Sequence, residues 1–346
     1  VFQDAMGEWV STAAPVVTLD PADRNYIDMN GDGIREMTHI GCEACHGPGS
    51  VHVIGHGDPE QIISPEMDFD AQQANDSCGQ CHVRGSSSDG TFGFLWNEIE
   101  DHPYVLGDAL DPYFTPKPGL WPDGMTPKQH HQQWHSLYES SKPTFIYHQV
   151  TCYECHDLHI ATDSNLRSII EEEENGETVL IPTKNEDNTL CLACHATHGD
   201  FTDITPTMVR DYAENVEEIG KIVSAHTHHP YAPDRNMGLS RCTKCHMPAT
   251  AKSAINYDIH SHTFEPIPPE KTLAYQDEGG MPNACGASCH SFFGGILPGH
   301  GKDGDIGTWN EDTDKVLAEF LMTYYGPGGF WWDHSLDDEH DEDGGE

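Results

Sequence analysis

Twelve cysteines and twenty-four histidines carry the chemistry of this 346-residue chain. Every cysteine falls in a pair that ends in histidine: Cys42 and Cys45 with His46, Cys78 and Cys81 with His82, Cys152 and Cys155 with His156, Cys191 and Cys194 with His195, Cys242 and Cys245 with His246, and Cys285 and Cys289 with His290. Five pairs read CxxCH and the sixth reads CxxxCH. Two thiols one short loop apart add to the two vinyl groups of a porphyrin, and the imidazole that follows becomes the proximal ligand of its iron. The spacing therefore predicts six c-type haems, bound by the twelve cysteines and by His46, His82, His156, His195, His246 and His290. Zinc ribbons need two CxxC pairs per metal and no trailing histidine. A thioredoxin-like site needs one pair.

Eighteen histidines remain. An iron with imidazole on both faces has no open position and suits electron transfer, whereas one with a vacant face can bind and reduce a small molecule. The surplus favours six closed irons. By position the distal candidates are His52, redirected by the Gly47-Pro48-Gly49 turn; His159 and His198, each three residues past a proximal histidine; His148, just before Cys152; His226 and His229, ahead of the fifth motif; and His262, after it. His135 joins them if residues 129–140 are helical, for His131 and His135 then share a face, as do Trp134 and Tyr138.

The elements that must hold these residues are few. Thr205 as N-cap, Pro206 in the first turn and Met208, Tyr212, Val216, Ile219 and Val223 at helical spacing predict a helix to about Ser224. Residues 314–325 place Val316, Phe320 and Tyr324 on one face, before Gly326-Pro327-Gly328. Alternating strand patterns are scarce. The expectation is mostly coil with a few short α-helices and little β, a single multihaem domain over residues 1–345 organised around its haems, with motifs in 42–290. Residues 313–346 would add a helix, the aromatic cluster of Tyr324, Tyr325, Phe330, Trp331 and Trp332, and an acidic tail. That cluster either caps its own core or docks onto the next protomer. Asp28, Asn30, Asp32 and Glu36 set oxygen ligands at alternate positions before a glycine turn, as in a loop that wraps Ca²⁺, although His39 stands where an EF-hand has glutamate. The alternative is a solvated acidic turn.

Charge and hydropathy exclude two classes. With 17 Lys and Arg against 58 Asp and Glu the net charge is −41, so no nucleic-acid partner is expected. Mean hydropathy is −0.58, and no apolar run is long enough for a membrane span. Covalent haem attachment takes place outside the bacterial or archaeal cytoplasm, so an exported protein is expected, extracellular or at the cell surface, with the periplasm as alternative. Val1 follows no charged or apolar leader and reads as a processed N-terminus.

Ile40-Gly41-Cys42-Glu43-Ala44-Cys45-His46-Gly47-Pro48-Gly49-Ser50 with His52, Val150-Thr151-Cys152 through His159, His226-Thr227-His228-His229, Cys242 through Pro248, His262-Thr263-Phe264 and Pro282-Asn283-Ala284-Cys285 resemble the multihaem cytochromes c with doubled CxxCH motifs. That superfamily includes ammonia-forming nitrite reductases and hydroxylamine oxidoreductases, and the likeness spans about residues 40–290. It implies that His52, His159, His226 or His229, and His262 are distal ligands. Two departures stand out: the chain lacks the CxxCK motif that carries the open iron of the nitrite reductases, and it has fewer haems than the hydroxylamine oxidoreductases. In architecture it is similar to hexahaem cytochromes that polymerise into extracellular filaments. The expected function is electron transfer, not enzymatic catalysis, by the repeating subunit of such a filament, a homopolymer exchanging electrons with redox proteins or extracellular minerals. A periplasmic reductase of nitrite or a similar small molecule, and a monomeric shuttle, are the alternatives.

The intact protein is expected to weigh six haem groups more than its 38.3 kDa polypeptide by denaturing mass spectrometry. A bare polypeptide mass would contradict the six-haem expectation.

Overall fold

The computed structural model describes residues 2–3, 9–10, 18–19, 26–28, 36–37, 40–140, 149–160, 162–184, 186–229, 241–254, 256–289, 314–330 and 332. Short helices separated by coil dominate, and every sheet has two or three strands. The backbone groups into two compact units, one of Val1–Pro118 with Tyr147–Cys152, the other of Gly119–Ile146 with Tyr153–Glu346. His148, His290, Asn30, Asp32, Trp331 and the acidic tail lie outside the described residues, as do the side chains of Asp28 and Glu36. The strands Tyr26–Asp28 and Glu36–Met37 that flank the acidic loop pair antiparallel, Ile27 opposite Glu36.

In the first unit the longest helix is Ala71–His82, which ends on the second motif. Its start is a capping box: Asp70 accepts from Gln73 N–H at 2.9 Å and Gln73 accepts from Asp70 N–H at 3.2 Å. Three other motifs carry helical turns of four or five residues, Glu43–His46, Cys152–Cys155 and Cys242–His246. One turn sets residues i and i+3 on the same side, so both thiols face one way. The sixth motif sits on Ala284–Ser288, where Cys289 N–H donates to Cys285 O at 3.0 Å. Its extra residue is absorbed because i and i+4 also share a helical face.

The core of the second unit is built around the fourth motif. Leu192 and Ala193 of the helix Thr189–His195 are buried with Val179, Ile181, Ala196, Ile204, Val209, Ile219 and Val223. Thr205 caps as expected, accepting from Met208 N–H at 3.2 Å, but the single expected helix is two, Pro206–Arg210 and Tyr212–Thr227, broken where Asp211 leaves helical geometry. The second piece runs three residues further than the periodicity indicates and carries His226 in its last turn. Val179 and Ile181 come from a hairpin, Ile169–Glu174 paired with Glu177–Pro182, closed at Asn175-Gly176 with both residues at positive φ. Asn-Gly is the favoured dipeptide for such a turn, and that signal stood in the sequence unread. A second cluster of Trp121, Ile267, Met281 and Ala284 holds the sixth motif, and Trp121 Nε1 donates to Thr250 O at 3.0 Å.

Two further helices differ from expectation. Residues 129–132 are not helical; His131 sits at φ 55°, and the helical turn Gln133–His135 passes into a wider π-turn over Ser136–Ser140. The C-terminal helix forms over Val316–Met322, but Ala318 and Leu321 are its buried side, while Val316 and Phe320 are more than half exposed. Periodicity located an apolar stripe there, and tertiary packing chose the small-residue face beside it.

Replacing Gly176 (φ 82°, with open space at its Cβ position) by valine is expected to destabilise the hairpin by about 1–2 kcal/mol, read as a lowered thermal midpoint. An unchanged midpoint would contradict the role given to this turn.

Candidate haem ligation sites

Three of the motif histidines set Nδ1 on a backbone carbonyl. His46 bonds Ile63 O at 2.6 Å, His156 bonds Ser164 O at 3.0 Å and His246 bonds Phe264 O at 2.9 Å. A carbonyl only accepts, so the proton sits on Nδ1 and Nε2 becomes the basic nitrogen. This is how proteins orient an imidazole that ligates metal. Several candidate distal histidines adopt the same posture: His52 on Asp58 O at 2.8 Å, His198 on Ala196 O at 2.7 Å and His262 on His260 O at 3.1 Å. His226 differs, for its Nδ1 meets the Asp200 carboxylate at 2.7 Å.

Two pairs of histidines then lie with their rings nearly parallel. The rings of His246 and His226 are 6.2 Å apart between centres with planes 14° from parallel, and those of His156 and His262 are 6.5 Å apart and 27° from parallel. An imidazole nitrogen lies about 2 Å from a metal it binds, which puts two rings on opposite sides of one ion about 6 Å apart between centres. By contrast His228 and Trp332, which stack in direct contact, are 3.8 Å apart. The two histidine pairs have the separation of rings that share an ion, and each joins a proximal histidine to a candidate distal one.

The surroundings suit a flat apolar group. Cys42, His46, His52, Val53, Ile54 and Ile62 line one open cavity of about 710 Å³, within the size range of cofactor pockets. Ile40, Val51, Val53, Ile54, Leu158 and Phe264 are exposed beside motif or candidate ligand residues, an apolar surface that a porphyrin would cover. Burial pushes the thiols of Cys155 and Cys245 up to about 11 and that of Cys285 up to about 12, so these sulfurs are held neutral rather than as reactive thiolates. Among the described residues no group of three or more His, Cys, Asp or Glu side chains converges as a protein-only metal site would require. Paired imidazoles fit a haem, whose porphyrin supplies the other four ligands.

The remaining candidates lie elsewhere. His159 is exposed, 3.3 Å from Asp157, and His135 is buried against the edge of Trp134. His229 donates its backbone N–H to Thr227 Oγ1 at 3.3 Å. His82 and His195 are exposed at the ends of their helices. One residue escaped the sequence reading: His260, exposed, with Nδ1 on Met247 O at 2.5 Å, has the same ligand posture. Its one sequence signal is its place two residues before His262. His102 shows the contrast, because Nδ1 bonds Pro103 O and Nε2 bonds Glu100 at 3.0 Å, leaving it a structural role. Those two bonds, the backbone one first, raise its pKa.

No family model matches the chain, and neither the curated proteins nor the solved structures contain a significant match to it.

Asp200 gives His226 a charged partner where the others have carbonyls, which strengthens its donation to a metal. Asp200→Asn is expected to raise one reduction potential in a spectroelectrochemical titration while leaving six haems bound. An unchanged titration would contradict the assigned contact.

Proposed function

We propose that the chain transfers electrons through six c-type haems, each closed by histidine on both faces, as the repeating subunit of an extracellular filament. The observation that carries the ligation is the pair of imidazole gaps, His246 with His226 and His156 with His262, both of ion-bridging width. Bound haem supplies reversible one-electron chemistry at iron.

The chain's own residues do the rest. The cysteine pairs tether each macrocycle at two points, and the Nδ1 bonds to Ile63 O, Ser164 O and Phe264 O hold the proximal rings in one tautomer and one orientation. With histidine on both faces of each haem, the protein would leave no place for a substrate to coordinate, which favours transfer over catalysis. Neighbouring motifs lie side by side. Sulfurs of the first and second motifs, Cys45 with Cys78 and Cys81, are near neighbours, as are Cys155 with Cys191 and Cys245 with Cys285 and Cys289. Asn188, three residues ahead of Cys191, takes the backbone N–H of Cys242 at 3.0 Å. Short steps between adjacent groups are what a chain of electron carriers needs.

Support for assembly comes from the C-terminal helix and the residues after it, where Val316, Phe320 and Phe330 leave apolar surface exposed while Trp332 is already stacked on His228. The charge of −41 opposes self-association at low salt, and its reach shrinks from about 30 Å at 0.01 M to about 3 Å at 1 M.

Electron micrographs of the purified protein are expected to show filaments that lengthen as NaCl rises. Particles that stay single at every salt concentration would leave electron transfer standing and remove the filament. Steady nitrite reduction with a reduced donor would overturn the proposed closure of all six irons.

A further inference from the structure

Two hydrogen-bonding devices tie the motifs together, and each occurs twice. In the first, the side chain just before the second cysteine of an even-numbered motif donates to the carbonyl just before the second cysteine of the preceding motif: Gln80 Nε2 to Ala44 O at 2.8 Å, and Ser288 Oγ to Lys244 O at 2.7 Å. In the second, an asparagine three residues before the first cysteine of an even motif accepts from the backbone N–H of the first cysteine of the following motif. Asn75 Oδ1 takes the N–H of Cys152 at 2.7 Å, and Asn188 Oδ1 takes that of Cys242 at 3.0 Å. Asn75 also donates through Nδ2 to Val150 O at 2.9 Å.

Both asparagines stand against local preference. Asn75 is fully buried inside the helix Ala71–His82, where asparagine is a poor helix former. Asn188 occupies the N-cap of Thr189–His195, a position that asparagine normally uses to bond its own helix, yet it makes no such bond and reaches the next motif instead. The sixth motif supplies the comparison. It has no following motif, and its asparagine, Asn283, two residues before Cys285 but six before the second cysteine as in the other two, caps its own helix through Gly286 N–H at 2.8 Å. Local rules are broken where another motif follows and kept where none does, the pattern expected of residues retained for function.

We propose that Asn188, and Asn75 in the same way, are positioning residues for electron transfer: each fixes the first cysteine of one motif against the motif before it and so sets the spacing and tilt of the two haems attached there. This rests on the six-haem reading. An anchored cysteine backbone fixes one edge of its macrocycle, and the bond from Cys242 N–H to Asn188 Oδ1 at 3.0 Å holds the first attachment point of the fifth motif against the N-cap of the helix that carries the fourth. A rotation at Cys242 would therefore alter the relation between the fourth and fifth haems before it altered either ligand pair.

The test uses the intact haem-loaded protein and its Asn188→Leu and Asn188→Asp variants. Haem count by mass and the low-spin absorption spectrum come first, because fewer than six haems in the unaltered protein would overturn the parent reading and not this one. The bisignate circular-dichroism band in the Soret region, which depends on the mutual orientation of neighbouring porphyrins, is the readout. N188L is expected to keep six low-spin haems yet weaken or invert that band and slow internal electron transfer after flash reduction. N188D, which keeps the acceptor oxygen, is expected to retain both. Should N188L yield no loaded protein, N188S, too short to span the bond, carries the same expectation. A six-haem N188L or N188S with an unchanged Soret band and unchanged transfer rate would overturn the proposal and leave Asn188 a structural cap.

Discussion

The placement of paired imidazoles is the constraint on which the proposed site depends. Ring centres 6.2 and 6.5 Å apart match two rings that share one ion, and each of the four rings is held from behind. The backbone carbonyls of Phe264, Ser164 and His260 hold His246, His156 and His262, and the Asp200 carboxylate holds His226. The carbonyls stand on turns and loops that follow the motifs by eight to eighteen residues. Under the six-haem proposal these stretches of coil would be ligand support, bringing carbonyls to imidazoles rather than to a sheet.

The few regular elements serve the same end. The helix Tyr212–Thr227 buries Ile219 and Val223 against the core that holds the fourth motif, and its last turn delivers His226 to His246. The hairpin closed by Asn175-Gly176 contributes Val179 and Ile181 to that core. Neither apolar cluster would be large for the length of the chain, as the low hydrophobic content of 36% implies. Apolar side chains left exposed beside the motifs are consistent with prosthetic groups completing the interior.

The site was far more legible in the sequence than the fold. Under the six-haem proposal covalent attachment would impose a fixed local spacing, so the cysteine pairs and proximal histidines can be read without knowing any tertiary contact. Distal positions would be set by long-range folding: position along the chain offered His226 and His262, whose rings lie by His246 and His156, together with His135, which is buried elsewhere, and passed over His260, whose ring is held in the same way. Periodicity found the C-terminal helix but not its buried side, because Ala318 and Leu321 are selected by the helix Pro269–Ala274 that packs on them. It placed a helix across residues 129–132, which the positive φ of His131 excludes. Asn75 and Asn188 carried no sequence signal, since the meaning of each lies in a backbone N–H 77 or 54 residues away.

Near-infrared magnetic circular dichroism of the fully oxidised protein reads the axial ligand pair of every haem at once and tests the central claim most directly. Paired imidazoles throughout predict a single class of charge-transfer band, that of low-spin iron with two histidine ligands, with intensity for six haems. A high-spin component, or a band from methionine or thiolate ligation, would contradict it.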